Sequence, residues 1–83
     1  MKILYFASLK AKTGVGAEDV TLPASVATLA DLAAWLKSRG DGFAEAFADL
    51  RTVRAAINQE HAEFDVPVKD GDEVAFFPPV TGG

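Results

Sequence analysis

Apolar residues crowd the opening of the chain, where Ile3, Leu4, Tyr5, Phe6, Ala7 and Leu9 fall within eight positions with no Gly or Pro. This run predicts a strand over Lys2–Leu9. Ile3, Tyr5 and Ala7 lie on one face and Leu4 and Phe6 on the other, so both faces are apolar. Such a strand is either central and covered twice, or keeps one face for a partner. Thr13-Gly14-Val15-Gly16 then reads as a flexible turn, and Glu18–Leu22, stopped by Pro23, as a second short strand. The pair suggests a hairpin with a loose connection.

The pattern next changes period. Leu29, Leu32, Ala33 and Leu36 follow the i, i+3, i+4, i+7 spacing of one buried helical stripe. Thr28 is placed to cap the helix, with Asp31 as its reciprocal partner three residues on. Lys37 and Arg39 fall in the expected last turn, where cations suit the carbonyl end of the helix, and Gly40 supplies a left-handed stop. Trp35 lies beside the stripe, at the core or its boundary. Phe43–Leu50 predicts a shorter helical turn with Phe43 and Phe47 on one side.

Strand patterning returns at Val53–Asn58, followed by a polar stretch and a brief extended piece around Glu63–Val66. Asp70-Gly71 marks a turn, with the pair Asp70 and Asp72 read as turn residues and not as a metal site. Glu73–Phe77 is a final apolar strand. Interrupted strands around one well-marked helix predict an α+β fold, a mixed sheet packed on that helix. A helix between strands two and three is the crossover of a β-grasp. In that arrangement the first and last strands lie side by side at the sheet's centre, and the chain end leaves a doubly anchored base. No linker or repeat divides the chain, so residues 1–83 are read as one domain, with 78–83 as a reactive tail.

Size and charge narrow the chemistry. Eighty-three residues make one thin core with little room for an enclosed active site. Chemistry is therefore expected at the surface, at a terminus, or in a pocket completed by a partner. A net charge of −4 disfavours nucleic acid and suits a basic protein partner or one that itself binds nucleotides. With no cysteine, thiolate chemistry and zinc-thiolate sites are excluded, and one histidine cannot build a histidine-rich metal site. The opening residues lack the features of a signal peptide, and no apolar stretch approaches the roughly 20 residues of a membrane span. The expected location is the cytosol.

The end of the sequence is its most informative part. In Phe76-Phe77-Pro78-Pro79-Val80-Thr81-Gly82-Gly83, two prolines stop the sheet and hold the chain extended. A frayed tail accounts for flexibility but does not predict where the glycines fall. Gly82 and Gly83 have no side chains, so they can thread a narrow channel and approach a nucleotide closely. A terminal carboxylate, with a reference pKa of about 3.3–3.7, is ionised at neutral pH. It can attack the α-phosphate of ATP to give an acyl-adenylate, from which a sulfur donor displaces AMP and leaves a thiocarboxylate. The carrier supplies a tethered reactant, and a partner supplies positioning and electrostatics.

The run Asp70–Gly83, with Ala55-Ala56-Ile57-Asn58-Gln59 and Lys2–Ala7, resembles the small subunit of molybdopterin synthase, the MoaD family. The resemblance spans the whole chain and is most specific in the tail, whereas the helical middle matches less closely. It implies a β-grasp, ubiquitin-like fold and a sulfur carrier that is not an enzyme on its own. It implies adenylation of Gly83 by a MoeB-type enzyme that consumes ATP, with no permanently bound cofactor, and then sulfuration from a donor protein. The loaded tail would enter a large, MoaE-type subunit and give sulfur to cyclic pyranopterin monophosphate, within a heterotetramer.

The pleat sets Phe77 with Ala75 opposite Phe76 with Val74. Pattern alone leaves open whether Phe77 joins a second small cluster or faces a partner; the resemblance places Phe6 and Phe77 at the interface. It also implies partner contacts for Lys10, just past the first strand, for His61, read as a loop residue, and for Pro78, Pro79, Val80 and Thr81. A thiamine-pathway carrier or ubiquitin-like modifier would share the fold and the Gly-Gly end. A plain interaction domain with an idle tail is the other alternative.

Overall fold

The computed structural model describes residues 1–79. Strand β1 (Lys2–Tyr5) leads into helix α1 (Ala7–Thr13), strand β2 (Ala17–Asp19), helix α2 (Leu29–Lys37) and helix α3 (Asp41–Ala46). A single 3-10 turn (Leu50–Thr52) precedes strands β3 (Arg54–Ile57), β4 (Glu60–Ala62) and β5 (Glu73–Phe77). The sheet runs in the order β2-β1-β5-β3-β4. β5 lies in the middle, parallel to β1 and antiparallel to β3, as the β-grasp reading requires.

One face of the sheet is buried. Ile3 and Tyr5 of β1, Val74 and Phe76 of β5, and Ala55 of β3 pack with Leu29, Leu32, Ala33 and Leu36 of α2. The predicted helical stripe is thus the observed one, and Trp35 sits partly buried at its edge. Thr28 caps α2 as expected: its Oγ1 accepts from Asp31 N at 3.2 Å, and Asp31 Oδ2 accepts from Thr28 N at 3.1 Å. Two further amides of this first turn donate outward, Leu29 N to Val66 O and Ala30 N to Phe64 O. Side chains and a neighbouring loop together satisfy donors that a helix start otherwise leaves without partners.

Several boundaries differ from the sequence reading, each for a local reason. The expected strand Lys2–Leu9 stops at Tyr5; Phe6 is extended and Ala7 takes φ 51, which turns the chain out of the sheet. Ala7–Thr13 then coils as α1, composed largely of good helix formers, with Leu9 buried in the core. Gly14, read as part of a hairpin turn, is the left-handed cap of that helix: at φ 80 its N–H donates to Lys10 O. The second strand pairs over Ala17–Asp19 and not through Leu22.

Arg39 lies beyond the end of α2 and binds Glu18 of β2 instead of serving the helix dipole. Gly40 does take a positive φ of 81, and there it also begins α3. The extended piece expected around Glu63–Val66 is displaced to Glu60–Ala62. Asn58 and Gln59, at φ 50 and 72, close a two-residue hairpin directly after β3. That backbone is the mirror-image turn that matches strand twist, and Asn tolerates it well. Asp70 and Asp72 do serve as turn residues: Asp70 accepts from Leu22 N, and the buried Asp72 accepts from Lys69 N and Asn58 Nδ2.

Candidate functional site

The sheet register fixes what its second face presents. Leu4 pairs with Ala17 and Ala75, Ala75 with Ala56, and Ala56 with His61, so one row crosses all five strands. Its middle is small and apolar, which leaves a shallow floor. At the end where β5 finishes, Phe77 pairs with Arg54, and Phe6 N donates to Phe76 O at 3.0 Å. Phe6 and Phe77 therefore flank the point where the chain leaves the sheet. Phe6 is 48% exposed, Phe77 is half-buried, and neither belongs to the buried core. Phe77 thus lies on the face opposite Phe76, half-buried beside Arg54.

His61 and Lys10 need correction in placement. His61 is on strand β4, not in a loop, and its ring stands 6.3 Å from that of Phe77 in an edge-on arrangement. Lys10 lies in the last turn of α1, not just past a strand, and its aliphatic stem passes close over Gly16. Both side chains are exposed. Pro78 and Pro79 follow β5 and are half-buried. Val80, Thr81, Gly82 and Gly83 lie outside the described residues. The structure brings Phe6, Phe77, His61 and the two prolines to one end of the open face, with Lys10 on the helix that follows Phe6.

The buried side of β1 anchors this end. Tyr5 stacks on Phe76 and meets Phe43 and Phe47 edge-on, with centroids 5.8–6.4 Å apart. Its hydroxyl donates to Glu18 Oε2 at 2.7 Å, and Arg39 Nη1 donates to both Glu18 oxygens at 2.8 and 3.0 Å. The Arg39 guanidinium in turn lies 4.2 Å over the Phe43 ring, a cation–π contact. Burial, reinforced by the bond to Glu18, pushes the Tyr5 phenol far above its ordinary value. Burial works to raise Glu18 as well, but the hydrogen bonds from Arg39 and Tyr5 outweigh it and hold that carboxylate low.

This network escaped the sequence reading because Glu18 and Arg39 stand 21 residues apart, and no local pattern joins them. It is closed and fully hydrogen-bonded, so its work is to hold Tyr5, and through it the backbone of Phe6, in place. Among the described residues, no group of three or more His, Asp or Glu side chains is placed to hold a metal ion. No helix among them is long and apolar enough to cross a membrane. What the described domain offers is a platform: a fixed exit for a chain end beside an open apolar face.

A mixed five-stranded sheet gripping one main helix, with its last strand central between β1 and β3, defines a β-grasp module. The chain belongs to the ThiS family, which it matches over residues 3–83. Over 83 residues it is 42% identical to an Escherichia coli protein named molybdopterin synthase sulfur carrier subunit, covering 100% of this chain and 99% of that one. A solved structure from Pyrococcus furiosus, described as subunit 1 of a molybdopterin converting factor, superposes with a TM-score of 0.74 at 33% identity over 95% of each chain. A complex of subunits 1 and 2 of the Helicobacter pylori molybdopterin-converting factor gives 0.65 at 25% identity, covering 99% of this chain and 96% of that one.

Proposed function

We propose that this chain is the sulfur carrier subunit of a molybdopterin synthase and that the carboxylate of Gly83 is its working group. The end-to-end likeness to the E. coli carrier subunit is the observation that carries the reading. In the first step the Gly83 carboxylate attacks the α-phosphorus of ATP on an adenylating, MoeB-type partner, and pyrophosphate leaves. A hydrosulfide equivalent from a donor protein then adds to the acyl carbon and expels AMP, giving a thiocarboxylate. On the large, MoaE-type subunit the sulfur passes to cyclic pyranopterin monophosphate. Water attacks the acyl carbon as the carbon–sulfur bond breaks, and the carboxylate returns.

The domain's own part is placement. β5 is held on both sides by β1 and β3, so the tail departs from a fixed point while the partner holds the reacting groups. Phe6 and Phe77 form the apolar centre of docking, with His61, Lys10 and Pro78–Thr81 around it. The chain is not catalytic alone, keeps no resident cofactor and works in the cytoplasm within a heterotetramer. The thiamine-pathway, modifier and idle-tail readings share this fold, but the names of the relatives favour the molybdopterin role. The test is intact mass after incubation with ATP, the adenylating enzyme and a sulfur source. Exchange of one oxygen for sulfur is expected in the full chain and not in a Gly83 deletion; an unmodified full chain, beside a control carrier that is modified, refutes the proposal.

A further inference from the structure

The open face carries a charge that its own fold leaves unanswered. Arg54 begins β3 directly across from Phe77 and is exposed. Its Nη1 donates to the carbonyls of Arg51 at 3.1 Å and Val53 at 3.3 Å, which pins the guanidinium at the tail end of the face. Two ion pairs form among the described residues, Arg39 with Glu18 and Arg51 with Asp49, and Arg54 belongs to neither. Beside it opens a groove of about 520 Å³, lined by Leu50, Arg51, Arg54, His61, Glu63 and Phe64. Asp49 already meets the charge of Arg51, so Arg54 is the cation there that remains to be paired.

Docking a protein on Phe6 and Phe77 removes Arg54 from water. A buried guanidinium without an anion is strongly destabilising, whereas a carboxylate meets its planar fork with two parallel hydrogen bonds. We propose that Arg54 is a specificity-determining residue that receives an Asp or Glu side chain of the large subunit, seated in the groove between Arg54 and His61. This rests on the proposed docking of the open face, and it assigns the partner an acidic residue at the rim of an apolar patch. Glu63, which also lines the groove, disfavours a free inorganic anion, while an acidic side chain on a covering protein is positioned by the apolar contacts around it.

The test is the dissociation constant for the large subunit, measured by calorimetry at low and high salt with the full chain and three variants. Arg54→Leu is expected to bind roughly thirtyfold more weakly, because the partner's carboxylate is left buried and unpaired. Its salt dependence falls with it. Arg54→Glu, which sets two carboxylates face to face, weakens binding further. Phe77→Ala reports on the docking itself: binding equal to that of the unaltered chain overturns both the docking and the role of Arg54. If Phe77→Ala weakens binding while Arg54→Leu binds equally well or more tightly, docking stands and the acidic partner residue is refuted. Tighter binding is the expected sign when an unpaired charge has been relieved. Arg54 is exposed, and unchanged thermal melts of the variants separate these outcomes from misfolding.

Discussion

Tyr5 is the chain's one tyrosine, so its ionisation can be followed by phenolate absorbance without interference. In the folded state it is 1% exposed and donates to a carboxylate, and its phenol is held far above the ordinary value of 10.0. Unfolding restores that ordinary value. Stability is therefore fully present below pH 10 and declines as pH rises above it, because the unfolded phenol ionises and the folded one does not. The loss steepens toward about 1.4 kcal/mol per pH unit and comes to about 2.3 kcal/mol between pH 10 and 12. For a domain of this size the loss is a large part of roughly 4–12 kcal/mol.

Urea melts of the full chain and of Tyr5→Phe between pH 7 and 12 isolate the effect, since other alkaline groups are common to both. At neutral pH the variant lacks a hydrogen bond to a charged acceptor, worth about 1.5–3 kcal/mol, partly offset by sparing the burial of a hydroxyl. The variant should start less stable, and the difference should close as pH climbs past 10. Phenolate absorbance should appear together with the loss of circular dichroism. Phenolate forming near pH 10 with the fold intact, or equal alkaline slopes in the two proteins, refutes the account of Tyr5.

Three further outcomes are expected. A Cβ at Gly42 would sit 1.8 Å from the Lys12 carbonyl oxygen, so Gly42→Ala should force α1 from α3 at a cost of about 3 kcal/mol, read as a lowered melting temperature. Thr28→Ala removes the α2 cap and should cost about 1 kcal/mol in urea melts, while Ser at this position keeps most of it. Glu18 is held below its ordinary 4.5, so its contribution is present above that pH and drains away as pH falls. Glu18→Gln should flatten that acid limb in a pH series of melts, and an unchanged limb contradicts the assignment.

Much of this fold is legible because its signals are local. The capping box of Thr28 and Asp31 and the four-residue stripe behind it require nothing beyond one helical turn of context. β5 is equally plain, being an apolar run bounded by Asp70-Gly71 and Pro78. Legibility fails where tertiary structure sets the boundary. Lys2–Leu9 is apolar enough to be strand or helix, and what divides it is the bend at Ala7, where the helix swings Leu9 into the core. β4 was obscured because its two-residue turn, Asn58-Gln59, lacks the glycine that usually announces one. At the site, strand alternation sets Phe77 opposite Phe76, but the interface role of Phe6 and Phe77 comes from the family resemblance, and the isolation of Arg54 becomes visible only once Arg51 is seen paired with Asp49. Gly82 and Gly83, the proposed reactive end, are read from the sequence and lie beyond the described residues.

Isotopically labelled sulfur offers the most direct trial of the carrier role. The chain would be loaded at Gly83 with the label, freed of ATP and donor, and mixed with the large subunit and the pterin substrate in a single turnover. Label should move into the pterin product in proportion to the thiocarboxylate consumed, leaving an ordinary carboxylate on Gly83. Product whose sulfur is unlabelled, or label that stays on the chain while product accumulates, would contradict the proposed chemistry of this protein.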